Sequence, residues 1–165
     1  MDNSIQLHQK ELCNKLWAMA NALRGNMEAY EFKNYILGLI FYRYLSERVE
    51  NFVNKLLAND DITYEQAWER EDYREGLSED CLDALGYVIE PKYLFSYVIK
   101  MIERNEFGID YLEKVISSIT ESTIGQESEQ DFDGLWEDMD LKSSKLGKMV
   151  SEKSKLIATI LNTIS

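Results

Sequence analysis

Side chains that usually perform catalysis or hold metals are few and scattered in this 165-residue chain. His8 is the single histidine, and the two cysteines, Cys13 and Cys81, lie far apart in the sequence, so no histidine or cysteine pair has the spacing of a metal site. The sequence has no glycine-rich phosphate loop and no G-x-S-x-G nucleophile motif. It therefore predicts no catalysis by this chain alone, and no metal or cofactor site within it.

An acidic cluster near the C-terminal third is the remaining candidate for a cation site. It comprises Asp131, Asp133, Asp138 and Asp140. An EF-hand loop that began at Asp131 would need glycine at its sixth position, where this chain has Trp136. The cluster does not match that loop, so we expect no calcium site.

The corner Arg24-Gly25-Asn26 is the first of two patterns that could contact nucleic acid. Arg24 and Asn26 supply polar groups between two predicted helices, and the free N–H groups at a helix start favour anions. Lys33 follows about two turns along the second helix. The alternative is that Gly25 and Asn26 only supply turn conformations.

A run of lysines near the C-terminus is the second pattern. Lys142, Lys145 and Lys148, followed by Lys153 and Lys155, alternate with serines in an otherwise acidic chain. Such a run is suited to phosphate contacts, and a solvated helix face explains it equally well.

The net charge of −12 is distributed unevenly. Residues 1–56 carry net +1, residues 57–140 carry net −17, and residues 141–165 carry net +4. A protein held on DNA by its overall field should be basic, because affinity comes largely from neutralising phosphates. Any contact with DNA is therefore expected to use local patches, with a partner supplying the main attraction.

The hydrophobic periodicity is helical along nearly the whole chain, which predicts an all-α, multi-helix bundle in a single domain over residues 1–165. A long helix over about 27–58 is apolar around most of its circumference, so we expect it at the centre of the bundle. Ile40 is expected in the core, as are the aromatic residues Phe41, Tyr42, Tyr44 and Trp136. The segment Tyr87-Val88-Ile89 is β-like, at most a very short β segment.

Two further elements lie in the last third of the chain. Residues 125–131 form an acidic stretch that predicts a loop. A C-terminal helix is expected over about 144–165, and its apolar pattern continues to Ile164 without a stop signal. This pattern suggests the front part of a longer protein.

The sequence also indicates where in the cell the protein is expected. It has neither the roughly 20 consecutive apolar residues that a membrane-spanning helix requires nor a signal peptide, and its cysteines are unpaired by motif. We expect a cytoplasmic protein with no membrane contact.

Taken together, several strings resemble the N-terminal helical domain of modification (methyltransferase) subunits in bacterial type I restriction-modification systems. They are Leu23-Arg24-Gly25-Asn26, Ile36-Leu37-Gly38-Leu39-Ile40-Phe41, Pro91-Lys92-Tyr93-Leu94-Phe95 and Phe132-Asp133-Gly134-Leu135-Trp136. The resemblance covers almost the whole chain in the family's order. The cofactor loop and the Asn-Pro-Pro-aromatic motif of that family's catalytic domain do not occur here.

The resemblance implies a function that the residues alone do not. It implies a non-catalytic domain that helps to clamp DNA and to assemble with a specificity subunit, a second modification subunit and a restriction subunit. The full-length subunit would be an adenine-N6 DNA methyltransferase that uses S-adenosylmethionine, and the C-terminal helix would lead toward its catalytic domain. The candidates for DNA contact are Arg24, Asn26, Lys33, Lys142, Lys145 and Lys148. A stand-alone helical adaptor without a DNA role is the alternative.

Overall fold

The computed structural model describes residues 2–22 and 27–165, and these fold as helices joined by turns and extended segments. The α-helices are α1 (Asp2–Ala22), α2 (Ala29–Leu56), α3 (Tyr64–Glu69), α4 (Glu71–Leu85), α5 (Phe95–Glu103), α6 (Ile109–Ser122), α7 (Glu129–Phe132) and α8 (Val150–Ile164). Short 3-10 helices cover Pro91–Tyr93 and Ser144–Leu146. No strand forms within the described ranges, and the β-like residues 87–89 are extended without a strand partner. The all-α prediction is confirmed.

Among the described elements, α2 contributes the most buried side chains to the core. It begins with a capping box in which the Glu28 side chain receives a backbone N–H and the Glu31 side chain accepts the N–H of Glu28. Its buried residues contact α4, α5 and α8. They are Phe32, Tyr35, Ile36, Leu39, Tyr42, Leu45, Val49 and Val53.

The opposite side of α2 is exposed, which corrects part of the prediction. Tyr42 and Trp136 are buried as expected, but Ile40, Phe41 and Tyr44 are exposed, so their assignment to the core is wrong. No element in the described part of the chain covers this side of α2. The prediction that α2 is enclosed at the centre of a bundle is therefore not confirmed.

Two buried tyrosines hold the extended segment that follows α4. The hydroxyl of Tyr64 donates to the carbonyl of Ile89 at 2.7 Å, and the hydroxyl of Tyr87 donates to the carbonyl of Leu45 at 2.8 Å. A backbone without regular structure leaves carbonyl groups that need partners when they are buried. The Tyr64 hydroxyl supplies this partner at Ile89, and the two hydrogen bonds join α2, α3 and the segment into one core.

The acidic stretch 125–131 is more ordered than a plain loop. Its last residues belong to the short helix α7, whose Phe132 is buried against Tyr87 with ring centroids 5.2 Å apart. Gly125, at φ 81°, adopts the left-handed conformation that glycine accepts without strain. Phe132 and the hydrogen bond from the Ser128 hydroxyl to the carbonyl of Gly86 therefore anchor a mostly exposed acidic surface.

The C-terminal helix begins later than predicted. Residues Ser144–Leu146 form a 3-10 turn, and α8 starts at Val150 rather than near 144. Gly147 has φ 150°, outside the helical region, and separates the two. The helix α8 then buries Ile157, Ile160, Leu161 and Ile164, and its last described carbonyl accepts a hydrogen bond from Arg43 of α2.

Candidate nucleic-acid interface

The structure brings the lysine run next to the start of α2. The Nζ atom of Lys145 lies 2.5 Å from Oε1 of Glu31 in the first turn of α2. Lys33 points to a different side of this helix, because residues i and i+2 do not share a helix face. On the same segment, the hydroxyl of Tyr35 donates to the carbonyl of Asp140. Residues 140–145 and the first turns of α2, which are far apart in the sequence, therefore share one region of the surface.

The other predicted corner cannot be placed in that region. Arg24 and Asn26 lie outside the described residues, between α1 and Met27. Their proposed role in DNA contact stays a prediction from the sequence.

Local hydrogen bonds fix the backbone at each of the three candidate lysines near the C-terminus. The N–H of Lys142 donates to Oδ1 of Asp140 at 2.9 Å, and the N–H of Lys145 donates to Oγ of Ser143 at 3.2 Å. The N–H of Lys148 donates to Oε2 of Glu152 at 3.0 Å. Such side chain to backbone bonds favour turns over a regular helix. They explain why the helix predicted from 144 starts only at Val150.

The four described candidate lysines differ in how available their charge is. The hydrogen bond between Lys145 and Glu31 raises the pKa of the lysine and lowers the pKa of the carboxyl. Lys33, Lys142 and Lys148 are exposed, and within residues 2–22 and 27–165 no carboxylate lies within 4.0 Å of their Nζ atoms. These three ammonium groups can therefore meet a phosphate without first breaking an ion pair.

Carboxylates surround part of this basic surface. A groove of about 490 Å³ beside Lys142 is lined by Glu113, Glu137 and Asp140 together with Trp136 and other apolar groups. Negative charges on the groove wall oppose a phosphate backbone. A nucleic acid would therefore contact the lysines from outside the groove, along the segment and the start of α2.

Among residues 2–22 and 27–165, no cluster of three or more His, Cys, Asp or Glu side chains has the arrangement to hold a metal ion. Within the same residues, no helix is both long enough and apolar enough to cross a membrane.

Comparison with known proteins identifies the family. The HsdM N-terminal domain family matches residues 12–164, nearly the whole chain. The chain belongs to this family. The resemblance that the sequence motifs indicated is thereby confirmed.

Two relatives show how much of a longer protein this HsdM N-terminal domain corresponds to. It is 30% identical over 157 residues to the type I restriction enzyme MpnII methylase subunit of Mycoplasma pneumoniae, covering 91% of this chain and 29% of that protein. It also matches the crystal structure of a type I restriction-modification methyltransferase subunit from Streptococcus thermophilus. That match has a TM-score of 0.79 and 27% identity, and covers 94% of this chain and 33% of the other. The chain thus spans about a third of the length of these relatives.

Sequence reasoning did not anticipate two features of this HsdM N-terminal domain. The pairing of Lys145 with Glu31 joins residues more than a hundred positions apart, and no local pattern signals it. The exposed apolar side of α2 did have a signal, since this helix is apolar on nearly all sides. The pattern favours central burial of α2, whereas the structure leaves one side of the helix exposed.

Proposed function

We propose that this chain is the DNA-clamping and assembly domain at the front of a type I modification subunit. The observation that carries the proposal is family membership over residues 12–164. The local basic surface supports a DNA role, because Lys142 and Lys148 present ammonium groups that are unpaired within the described structure. Lys33 is likewise unpaired there but lies on another side of α2 from Glu31. The net charge of −12 fits a domain that contacts DNA while other parts of a complex provide most of the attraction.

The complex we propose has the composition that the family implies. The domain joins a specificity subunit that reads DNA, a second modification subunit and a restriction subunit, all in the cytoplasm. S-adenosylmethionine would supply the methyl group for adenine-N6 methylation. The described residues do not fit this cofactor, since they form no strand followed by a glycine-rich turn. We therefore assign its binding to the part of the subunit beyond this chain.

The proposed DNA contacts are Arg24, Asn26, Lys33, Lys142 and Lys148. Lys145 is the weaker candidate, because its ammonium group is already paired with Glu31. Arg24 offers a planar fork of donors suited to a phosphate. The lysines act as point charges that position the backbone without reading sequence. The domain would accordingly affect affinity and rate and leave the target sequence unchanged.

The test uses the assembled methyltransferase and the double variant Lys142→Ala/Lys148→Ala. Loss of two phosphate contacts should weaken DNA binding and reduce the slope of log K against log salt by about two units. Fluorescence anisotropy with a labelled duplex at several salt concentrations measures both quantities. The methylated sequence and the assembly with the specificity subunit should not change.

A matched control removes two other exposed lysines from the acidic part of the chain. Lys100→Ala/Lys114→Ala makes the same change in net charge on α5 and α6. It should leave the salt slope as in the wild type. If both double variants shift the slope equally, the effect is one of overall charge and the proposed interface is wrong.

A further inference from the structure

Two apolar side chains stand exposed at the corner where the chain turns into α8. Met149 and Val150 are each 63% exposed, and they directly follow Lys148. The apolar residues that hold this part of the chain against the core lie on either side of the pair, with Leu146 buried before it and Ile157 buried after it. Packing within the described structure therefore does not explain why Met149 and Val150 are apolar.

Met149 also occupies a position where a methionine brings no structural advantage. It is the N-cap residue of α8 and makes no side-chain capping bond. Ser, Thr, Asp and Asn are preferred at this position, because their side-chain oxygen accepts a free N–H of the first turn, whereas a thioether sulfur is a weak acceptor. Departures from such local rules without a gain in stability are expected at functional positions.

The backbone of this corner is held in place on both sides of Met149. The N–H groups of Glu152 and Lys153 both donate to the Met149 carbonyl at 3.1 Å. The N–H of Lys148 donates to Oε2 of Glu152, and a Cβ atom at Gly147 would lie only 2.7 Å from Cβ of Glu152. A side chain carried on a fixed backbone loses less entropy when it packs against another molecule.

Lysines surround the corner, although the chain as a whole has a net charge of −12. Residues 141–165 carry net +4 and include one carboxylate side chain, that of Glu152. The Nζ atom of Lys153 lies 2.9 Å from the carbonyl of Lys142, which brings Lys142 close to the first turn of α8. Lys148 precedes the exposed pair directly, so positive charge lies on both sides of it in the sequence.

Carboxylates on neighbouring elements oppose these lysines. Glu113 and Glu137 line the groove beside Lys142. The exposed Asp110 follows Ile109, whose N–H donates to Ser154 one turn into α8. The electrostatic attraction of this region for a phosphate backbone is therefore modest, and an apolar contact would add affinity that these charges do not supply.

We propose that Met149, supported by Val150, inserts between two base pairs of duplex DNA and partly unstacks them. Proteins that bend or kink DNA combine lysine or arginine contacts with an apolar side chain, methionine among them, that enters a base step. The unbranched, flexible methionine side chain is suited to such a gap. The proposal rests on the proposed function, since it requires DNA at the neighbouring lysines, and it specifies a contact that carries no charge.

Two properties of the corner favour DNA over a protein as its occupant. A standard protein interface buries about 800 Å² on each partner, which two side chains cannot provide, whereas a base step accepts a single side chain. Lysine is also depleted in protein–protein interfaces. The lysines around Met149 therefore match a polyanion better than a protein surface.

The first test compares apolar and charged variants in the assembled methyltransferase. Met149→Ala/Val150→Ala should weaken binding of a labelled duplex roughly tenfold, as expected when a buried apolar side chain is lost. The slope of log K against log salt should stay as in the wild type, because no phosphate contact is removed. Fluorescence anisotropy over a series of salt concentrations gives both values. A double variant that binds like the wild type would overturn the proposal.

Matched variants separate the apolar contact from other effects of the substitution. Ile124→Ala truncates an apolar residue that is 65% exposed elsewhere, and it should bind DNA like the wild type. Met149→Leu keeps the apolar bulk and should restore most of the affinity, whereas Met149→Gln, of similar length but polar, should bind as weakly as Met149→Ala. Circular dichroism spectra should be the same for all of them, because both positions are exposed. Wild-type affinity in Met149→Gln would contradict the proposal.

Unstacking of a base step can be measured directly. A set of duplexes carries the methylated sequence, each with 2-aminopurine at a different position, and the fluorescence of this base rises when it is unstacked. Methyltransferases take their target base out of the stack, so a signal at the methylated position is expected for every variant. A second position should respond with the wild type and Met149→Leu but not with Met149→Ala. If no second position responds, Met149 does not enter a base step.

The proposed function and this inference fail in different ways. If Lys142→Ala/Lys148→Ala reduces the salt slope while Met149→Ala/Val150→Ala binds normally, the lysine interface stands and the inserted methionine is wrong. If the apolar variant weakens binding while the lysine variant leaves the slope unchanged, the methionine contact stands without those two lysines. If the apolar variant instead loses assembly with the specificity subunit, a protein covers this corner and the inference is wrong.

Discussion

Leu39 and Ile40 are neighbours on α2 whose side chains lie in different surroundings. Leu39 is fully buried, whereas Ile40 is exposed. Leu39→Ala should lower the free energy of unfolding by about 2–5 kcal/mol, since it removes buried contacts and leaves a cavity. Ile40→Ala should change it by about 1 kcal/mol or less.

Urea unfolding at low protein concentration measures both changes on monomers. The matched pair matters because the two residues are adjacent and both aliphatic, so helix propensity and unfolded-state effects are similar. Equal losses for the two variants would place Ile40 in the core after all.

This pair also shows where prediction from the sequence stops. The apolar periodicity predicted α2 and most of its buried residues, because one face of a helix must bury its apolar groups. It could not show which of two apolar faces other helices cover. That depends on α4, α5 and α8 packing on one side, a tertiary choice that α2 alone does not encode.

At the scale of elements, α2 and the segment around Trp136 meet at a glycine. A Cβ atom at Gly38 would lie 2.8 Å from Sδ of Met139 and 3.2 Å from Cδ1 of Trp136. The Nε1–H of Trp136 also donates to the carbonyl of Gly38 at 3.0 Å. Gly38 therefore has a packing role in the middle of a helix, where glycine is otherwise unfavourable.

Two glycine to alanine variants should consequently shift stability in opposite directions. Gly76→Ala in α4 should stabilise by about 0.5–1 kcal/mol, because a Cβ there meets no atom within 4 Å and alanine favours the helix. Gly38→Ala gains the same propensity but overpacks two buried side chains, at a cost of typically 1–3 kcal/mol. Thermal midpoints compare them, and a stabilised Gly38→Ala would mean that the segment adjusts without strain.

Other elements were predictable to different degrees. A capping box of Thr63 and Gln66 begins α3, and its signal is contained in four adjacent residues. Asp110 and Glu113 have the same spacing but lie inside α6, which begins after Gly108. Only part of the candidate interface could be predicted from the sequence. The lysines are visible in the sequence, but the pairing of Lys145 with Glu31 is not.

For the whole molecule, burial of weakly acidic groups predicts a loss of stability at alkaline pH. Burial raises the pKa of Tyr42, Tyr64 and Tyr87, and it raises the pKa of the Cys81 thiol to about 11. In the unfolded chain the pKa is about 10 for tyrosine and about 8.5 for cysteine. The folded protein holds their protons more tightly, so their contribution is complete below the unfolded values and is lost as pH rises.

The thermal midpoint should therefore decline from about pH 8.5 upward and more steeply above about pH 10. Cys81→Ala should remove the first part of this decline, and Cys13→Ala, at an exposed thiol, should retain it. Scanning calorimetry over this pH range measures the midpoints. A constant midpoint up to pH 11 would contradict the assignment of these groups to the core.

The bond from Trp136 to Gly38 has an optical consequence. The Trp136 ring is buried, that of Trp68 is half-buried and that of Trp17 is exposed, so the three indoles should emit at different wavelengths. With Trp17 and Trp68 replaced by phenylalanine, the remaining fluorescence would come from the indole that docks residues 136–141 onto α2. A red shift in that emission would then report, without an added dye, when residues 136–141, which lead into Lys142, separate from the helix.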